Sequence, residues 1–335
     1  MSPREDGPLR ILVTGSRGKS SIVRLLHAGL EAAGLETWSR ITGVVPRQLG
    51  PGGMHEILRG AGAHVEEMRW WLRRVPSTAE AIVLENSAIT GDLQPLAARW
   101  LRPQLTILSN VLPDHQEAWG ASPAGAVDAL AAGLEAGGYV LLPDTLKQDG
   151  YLRYRLDRGA CHAEFVPPRS ITGPPHQSVN AGLALAAIDY FGLPKDNAWH
   201  AMQMLPPDRY DFRVVSHAGA ELALAFSVND IASTRAVFRD LGWTEQSTRL
   251  VYNHRADRPG RFRSFRGWLS GGRWREVTII GDRPFVKPAN ARYRRLRGAS
   301  SLLRWLQPGE RVFGCGNIAG HPLALYREDS TCTPW

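Results

Sequence analysis

The sequence lacks several features that would define its class at once. None of its apolar runs approaches the ~18–20 residues that a membrane-spanning helix needs, and its N-terminal segment has no apolar signal-peptide core. Only three cysteines occur among 335 residues, and Cys161, Cys315 and Cys332 lie far apart. One of them must stay unpaired, so neither a disulfide framework nor a cysteine-type zinc site is indicated. We therefore expect a cytoplasmic protein.

Lysine is also scarce: the chain has four lysines and 36 arginines. Its formal net charge is +8. A basic balance suits an anionic partner, such as a nucleotide, an acidic substrate, a nucleic acid or a membrane surface. The sequence has no motif in which aromatic residues alternate with basic ones, as expected for nucleic-acid recognition. We therefore expect no nucleic-acid partner, although the charge alone leaves that class open.

The first two hundred residues alternate apolar runs with helical patterns. Predicted strands are Leu9–Val13, Ala81–Leu84, Leu105–Leu108 and Tyr139–Leu142. Predicted helices are residues 22–33, Ala63–Arg74, Pro123–Ala136 and Gln177–Phe191. Such alternation is typical of a parallel sheet covered by helices on both faces.

Pro206 and Pro207 interrupt the chain, and we place a domain boundary there, giving domains 1–206 and 207–335. After this boundary the alternation restarts. Predicted strands are Leu222–Val228, Leu250–Asn253, Val277–Ile280 and Val312–Cys315, and predicted helices are Ser233–Leu241 and Leu302–Leu306. The sequence thus predicts two α/β domains, of which the second is the smaller.

The segment Val13–Ser21, VTGSRGKSS, joins the first predicted strand to the first predicted helix. A phosphate-binding loop needs glycines that let backbone N–H groups approach an anion, and a helix whose positive end faces it. Lys19 would reach the β- and γ-phosphates, and Ser20 would offer its hydroxyl to Mg²⁺. The residues predicted to bind the nucleotide are Gly15, Ser16, Arg17, Gly18, Lys19, Ser20 and Ser21. Because Val13 stands where the strict motif has its first glycine, an ordinary polar turn stays open.

Polar residues follow two other predicted strands. Glu85 directly follows the second strand, Asn110 follows the third, and Asp114 and His115 come shortly after it. Ligands collect at the carboxyl ends of parallel strands. A carboxylate and an imidazole there could hold a metal that bridges nucleotide and substrate. Taken alone, Glu85 or His115 would more often be a solvated loop residue. A metal site made of Ser20, Glu85 and His115 is therefore predicted only in combination with the phosphate-binding loop.

Together these residues resemble the Mur ligase superfamily, in particular its capsular poly-γ-glutamate synthetase branch. No single segment is specific for this family. The order and spacing of the segments over roughly residues 9–327 are specific for it. The matching segments are Gly15–Ser20, Ile41–Gly43, Glu56–Gly60, Glu85, Asn110–His115, His176–Asn180, Arg209-Tyr210, Asn229–Thr234, Asn253–Arg258 and Gly314–Ile318.

The resemblance implies a P-loop parallel-sheet ATPase domain followed by a smaller Rossmann-like domain, the central and C-terminal domains of Mur ligases. It implies ATP- and Mg²⁺-dependent amide formation that yields ADP and phosphate through an acyl phosphate. Glutamate or another amino acid would be added to a carboxylate, such as the end of a γ-glutamyl chain. The implied catalytic residues are Lys19, Glu85 and His115.

The resemblance also implies binding roles for residues outside the loop. Asn180 would contact adenine, Arg209 a phosphate and Asp230 the ribose. The residues implied to bind the substrates are Asn110, Asn229, Arg255 and Arg258. Arginine is unusually dense over residues 255–266, which fits a polyanionic acceptor. A solvated basic loop is the alternative.

The sequence departs from the family pattern in several places, and one of them is the lysine that many Mur ligases have after Asp230, which is missing here. Residues 124–137 contain no lysine, whereas Mur ligases usually place a carbamylated lysine there. Since the loop begins at residue 15, we expect no domain for a UDP-sugar precursor. Two alternatives stay open: a stand-alone ligase that joins an amino acid to a small carboxylic acid, and a P-loop ATPase without ligase activity. A membrane partner of a polymer synthase and a homo-oligomer are also compatible with the sequence.

Overall fold

The computed structural model describes residues 7–43, 45–59, 63–112, 116–120, 122–228, 230–298 and 300–327. The chain divides into two compact units between Pro206 and Pro207, and each unit has its own sheet. None of the helices formed by the described residues combines the length and apolar character that crossing a membrane requires.

The described part of the first unit contains an eight-stranded sheet. Its strands are β1 Leu9–Thr14, β2 Thr37–Ile41, β3 Arg47–Gly50, β4 Gly53–Glu56, β5 Ala81–Glu85, β6 Leu105–Leu108, β7 Tyr139–Pro143 and β8 His162–Val166. Their order in the sheet is β4-β3-β2-β5-β1-β6-β7-β8. Neighbours are parallel except for the hairpin β3–β4, which adds antiparallel to β2. β1 therefore lies in the middle, between β5 and β6.

Helices cover both faces of this sheet. They are α1 Lys19–Ala32, α2 Glu67–Leu72, α3 Pro95–Leu101, α4 Gln116–Trp119, α5 Pro123–Ala131, α6 Gly150–Arg158, α7 Pro175–Tyr190 and α8 Lys195–Met204. Alternate residues of β1 serve the two faces, as the two-residue period of a strand requires. Ile11 belongs to a buried cluster with Leu26 of α1 and Leu183 of α7. Leu12 packs instead with Met68 of α2.

The second unit also combines a mostly parallel sheet with helices, but its sheet is smaller. Its described strands are β9 Arg213–His217, β10 Ala220–Leu224, β11 Thr248–His254, β12 Glu276–Gly281, β13 Ala291–Tyr293 and β14 Arg311–Cys315, and its helices are α9 Ile231–Asp240, α10 Pro259–Gly271, α11 Ser300–Leu303 and α12 His321–Arg327. The strand order is β13-β12-β11-β14-β10-β9, parallel except for β9. Phe238 of α9 and Phe265 of α10 pack on Tyr252 and Phe313 in the core.

Several predicted elements have different bounds. The helix predicted over Ala63–Arg74 begins only at Glu67, because residues 63–64 are irregular and residues 65–66 form a turn. The strand predicted over Leu222–Val228 ends at Leu224, because the N–H of Val228 bonds to the carbonyl of Ala225 and closes a turn. The sequence did not predict β2 or the β3–β4 hairpin, whose short polar strands carry little apolar periodicity. Of these strands, β2 pairs directly with β5.

Candidate active site

The loop after β1 lies at the carboxyl edge of the first sheet, between the ends of β5 and β6. This edge is where ligands bind in open parallel sheets. Two glycines make the loop possible. Gly15 has φ +124°, and a Cβ on it would come within 2.2 Å of the hydroxyl of Ser109. Gly18 has φ +79°, and a Cβ there would lie 2.9 Å from Oδ1 of Asn180. A side chain at either position would be both strained and crowded.

The start of α1 is arranged to attract an anion. The helix begins after Gly18 without a side-chain cap and without an acidic residue in its first turn. No carboxylate of the helix's own first turn therefore compensates its positive end. The ammonium group of Lys19 donates to the carbonyls of Gly15, at 2.6 Å, and Ser16, at 3.2 Å. Lys19 thus adds a positive charge directly over the loop.

Residues after β6 fix the loop backbone. The side-chain amide of Asn110 accepts from the N–H of Arg17, at 3.1 Å, and donates to its carbonyl, at 2.9 Å. The hydroxyl of Ser109 donates to the same carbonyl at 2.6 Å, and the hydroxyl of Ser16 donates to the carbonyl of Leu112 at 2.7 Å. Asn110, which the resemblance assigned to substrate binding, is therefore engaged in holding the loop.

Glu85 is the acidic centre of the site. It ends β5 and is only 2% exposed. Its Oε2 accepts from the hydroxyl of Ser20, at 2.9 Å, and from the N–H of Thr42, at 3.1 Å. Its Oε1 accepts from the hydroxyl of Thr42 at 2.8 Å. Three segments that are distant in sequence, the start of α1, the end of β5 and the residue after β2, thus converge on one carboxylate.

A buried arginine lies near this carboxylate. Arg40 of β2 is fully buried, and its Nη2 donates to Glu67 of α2 at 2.8 Å. Glu67 also receives two nitrogens of Arg59. Burial lowers the pKa of Arg40, and the charges of Glu67 and Glu85 oppose this shift. Burial alone would raise the pKa of Glu67, but hydrogen bonds from Arg59 and from the N–H of His64, with the two arginine charges, lower it.

Asn180 lies on α7 and faces the loop. It is 4% exposed, and its amide group stands where a side chain of residue 18 would be. Its Nδ2 is buried and has no hydrogen-bond partner among the described residues. The predicted Asn180 is therefore next to the phosphate end of the site, and its role towards adenine stays a prediction.

Sequence reasoning assigned no role to three residues of the site. Thr42 lies in Ile41–Gly43, one of the segments that resemble the family. Its position directly after the short strand β2 could have indicated a role in the site. Ser109 directly precedes Asn110 at the end of β6. Arg40 had no visible signal, because a charged residue in a strand is usually exposed.

The predicted site residues of the second unit lie in different segments of the chain. Asp230 caps α9, since its Oδ1 accepts from the N–H of Ser233 at 2.8 Å. Arg209 is exposed and precedes the buried Tyr210. Arg255 donates to both carboxylate oxygens of Asp257, at 2.9 and 2.6 Å. This contact lowers the pKa of Asp257.

Arg258 precedes α10, and its carbonyl accepts from the N–H of Phe262 at 3.4 Å. The dense arginine segment is therefore largely helical, because α10 covers Pro259–Gly271. His115, Asp114 and Asn229 lie outside the described residues. In the part of the chain that the structure describes, no three residues of the types His, Cys, Asp and Glu form a metal-binding group.

Comparison with known proteins agrees with this geometry. Residues 210–329 match the family described as the poly-gamma-glutamate synthase CapB C-terminal domain. The chain is 26% identical to the PGA synthase CapB of Bacillus subtilis (strain 168), over 93% of this chain and 88% of that protein.

Two solved structures share the fold of both units. One is a bifunctional folylpolyglutamate synthase/dihydrofolate synthase with Mn, AMPPNP and L-glutamate bound, which gives a TM-score of 0.68 at 15% identity and covers 97% of this chain and 90% of that chain. The other is MurF ligase from Thermotoga maritima in complex with ADP, with a TM-score of 0.63 at 13% identity over 97% of this chain and 81% of that chain. They confirm the predicted fold, and with the CapB matches they confirm that this chain resembles the poly-γ-glutamate synthetase branch of the Mur ligase superfamily.

Proposed function

We propose that this protein is an ATP- and Mg²⁺-dependent amide ligase that adds glutamate to a carboxylate, as in the synthesis of a γ-glutamyl chain. The observation that carries the proposal is the convergence of Ser20 and Thr42 on the buried carboxylate of Glu85, directly beside an anion-binding loop. A polar turn before an ordinary helix would not need a carboxylate at this position.

The comparisons support the ligase class. The similar Bacillus subtilis protein is named a PGA synthase. The two similar structures are a folylpolyglutamate synthase holding Mn, AMPPNP and L-glutamate, and a ligase holding ADP. An enzyme that consumes ATP also fits the cytoplasmic location expected from the sequence.

In this proposal the loop holds the triphosphate of ATP. The uncapped start of α1 supplies N–H groups and a partial positive charge. Lys19, whose ammonium group lies over the loop, neutralises the charge that develops on the γ-phosphoryl group. Asn110 and Ser109 keep the loop in this shape through their bonds to the backbone of Arg17.

The donor atoms at Glu85 suit a magnesium ion. Mg²⁺ prefers oxygen ligands and is commonly held by one or two carboxylates together with substrate phosphates and water. The side chains of Ser20 and Glu85 provide such oxygens 2.9 Å apart, and we assign His115 to the same site from the family resemblance. A bound magnesium ion would supply charge neutralisation between the γ-phosphate and the substrate carboxylate.

The reaction then needs mainly positioning from the protein. An oxygen of the substrate carboxylate attacks the γ-phosphorus of ATP, and ADP leaves. The deprotonated amine of glutamate attacks the carbonyl of the resulting acyl phosphate, and phosphate leaves as the amide forms. Glu85, held by Ser20 and Thr42, keeps its carboxylate in one orientation throughout these steps.

The remaining contacts involve both units. We assign Asn180 of the first unit to adenine, and Arg209 and Asp230 of the second unit to a phosphate and to the ribose, as the family resemblance suggests. We assign the binding of the substrate carboxylates to Asn229, Arg255 and Arg258. Because Asp257 already binds the guanidinium group of Arg255, a substrate carboxylate would have to share or displace that contact.

The test is to incubate the protein with ATP, Mg²⁺ and each amino acid, to follow nucleotide products, and to identify amide products by mass spectrometry. We expect glutamate to stimulate the release of ADP and phosphate, and Lys19→Ala to abolish it. Release of AMP and pyrophosphate would contradict the acyl-phosphate route. ADP release that no amino acid stimulates would favour a plain ATPase. A single-amide product would favour a stand-alone ligase over a polymer synthase.

A further inference from the structure

The excess positive charge of the chain lies entirely in the second unit. Residues 1–206 contain 19 basic and 20 acidic residues, whereas residues 207–335 contain 21 basic and 12 acidic ones. The nucleotide-binding unit therefore carries a net charge near zero. A general arginine bias of the whole chain does not explain such an uneven distribution, which points to an anionic partner of the second unit.

Part of this charge lines one pocket, which we call the arginine pocket. It is a shallow depression of about 370 Å³ that is open to solvent, and its lining residues are Arg294, Arg295, Arg297, Ser301, Arg304 and Trp305. Arg294, Arg295 and Arg297 follow the edge strand β13. Ser301 belongs to α11, and Arg304 and Trp305 directly follow this helix. No arginine of residues 255–266 contributes to its walls, so the pocket is separate from the arginine segment noted in the sequence.

The arginines of this pocket have no carboxylate partner among the described residues. Some other arginines of the unit are paired, as Arg249 is with Glu276 and Arg311 with Glu221. Arg294, Arg295, Arg297 and Arg304 are all exposed and make no ion pair in the described part of the chain. Like charges that lie together without compensation repel each other and destabilise the folded state, so a function that requires them is indicated.

The pocket is partly ordered before any ligand binds. The guanidinium carbon of Arg294 lies 3.7 Å from the centre of the Trp305 ring, a stacking contact that restricts both side chains. Arg304 has one hydrogen bond in the pocket, to the hydroxyl of Ser301 at 3.4 Å. The side chains of Arg295 and Arg297 make no hydrogen bond or ion pair with the described residues, and a planar guanidinium group matches the geometry of a carboxylate.

The chemistry of the walls favours several carboxylates over a nucleic acid. Single-stranded nucleic acids bind to proteins by stacking bases on aromatic rings as well as through phosphate contacts. Trp305 is the aromatic residue of this pocket, and Arg294 already covers one face of its ring. Several guanidinium forks without a free aromatic platform suit an acidic chain with one carboxylate on each residue.

We propose that the arginine pocket is a second binding site, which holds an anionic γ-glutamyl chain by its side carboxylates. The proposal rests on the proposed function for the identity of the chain. The pocket would retain the acceptor or product between rounds of addition, so that the affinity grows with the number of linked residues. It takes no part in the chemical step.

The experiment measures equilibrium binding of glutamate and of γ-linked glutamate oligomers of increasing length by calorimetry, with the full chain. The test variant is Arg295→Ser/Arg297→Ser, which changes two exposed side chains without hydrogen bonds to the rest of the described structure. The control is Arg235→Ser/Arg273→Ser, which removes the same charge from exposed positions of the same unit outside the pocket.

We expect the oligomers to bind more tightly as they lengthen, and the test variant to lose about tenfold or more in affinity for each arginine removed. The control variant should bind within about threefold of the wild type, since distant surface charges are screened by salt. Equal losses in both variants would show only a general charge effect and would overturn the proposal. Tighter binding of an RNA of matched charge, or of anionic vesicles, would overturn the assigned ligand.

Glutamate-stimulated ADP release, measured on the same preparations, separates this proposal from the proposed function. Unchanged release in the test variant together with weakened oligomer binding supports the second site. Unchanged release with unchanged binding refutes the pocket alone. Absence of stimulated release in the wild type refutes the proposed function, whatever the binding shows.

Discussion

The two units present polar groups in opposite ways. In the first, the site residues satisfy one another: Ser20 and Thr42 bind Glu85, and Asn110 binds the backbone of Arg17. In the second, charged residues are abundant, exposed and in several cases unpaired. The hydrogen bonds of the first unit hold one geometry, which the proposed phosphoryl transfer requires. The excess positive charge of the second unit would attract anions.

Removing the charge of Glu85 should have the largest effect on activity. Glu85→Gln keeps the size of the side chain and can still accept from Ser20, but it loses the negative charge that a magnesium ion needs. We expect kcat for glutamate-dependent ADP release to fall by about 10²–10³-fold, with the thermal midpoint little changed. Asp240→Asn, which removes an exposed carboxylate of the second unit away from the proposed site residues, is the matched control. Activity of Glu85→Gln near that of the wild type would remove Glu85 from the mechanism.

The buried His27 of α1 should make the first unit sensitive to acid. Burial lowers the pKa of His27 from its ordinary 6.5 to about 4. Between these values the unfolded chain binds a proton that the folded chain does not, so the free energy of unfolding falls as the pH decreases. The loss is about 1.4 kcal/mol per pH unit and about 3 kcal/mol over the window.

Urea unfolding measured from pH 7 to pH 4.5 checks this expectation. His27→Gln can keep a hydrogen bond to Ser39, which lies 3.0 Å from Nδ1 of His27, but has no proton to take up. The variant should therefore show a flatter dependence of stability on pH than the wild type. Parallel curves for the two proteins would mean that His27 is not the group responsible.

Gly18→Ala tests whether the loop depends on its close contact with α7. The new Cβ would meet Asn180 at 2.9 Å, in a backbone conformation with φ +79°. Gly34→Ala is the control, because Gly34 has φ +87° but open space around it. We expect a stability loss of about 1 kcal/mol for Gly34→Ala and about 2 kcal/mol or more for Gly18→Ala. Only Gly18→Ala should weaken ADP binding, measured by calorimetry.

The smallest effect is expected at Arg255. Its pairing with Asp257 is partly exposed, and such surface pairs contribute about 0–1 kcal/mol. Arg255→Ala should leave the thermal midpoint nearly unchanged and raise the KM for the substrate carboxylate severalfold with little change in kcat. A loss of kcat without a change in KM would place Arg255 in the chemical step and would weaken the contrast between the units.

Part of this architecture could be predicted from the sequence. Strands such as Leu105–Leu108 are continuous apolar runs buried on both faces, and the phosphate-loop candidate stands out because glycines, Lys19 and Ser20 follow such a run. The β3–β4 hairpin escaped prediction, because its strands are short and polar. The partners of the loop escaped as well. That Asn110 holds the backbone of Arg17, or that Arg40 is buried beside Glu67, depends on contacts between distant segments, which no local pattern encodes.

ATP is proposed to bind at the loop of residues 13–21 together with a metal ion held by Ser20 and Glu85. Electron paramagnetic resonance of Mn²⁺, titrated with AMPPNP into wild-type protein and Glu85→Gln, tests it directly. We predict a tightly bound Mn²⁺ that requires the nucleotide in the wild type, and an affinity at least about tenfold weaker in the variant. Equal Mn²⁺ binding by the two proteins, or binding that is independent of AMPPNP, would contradict the account.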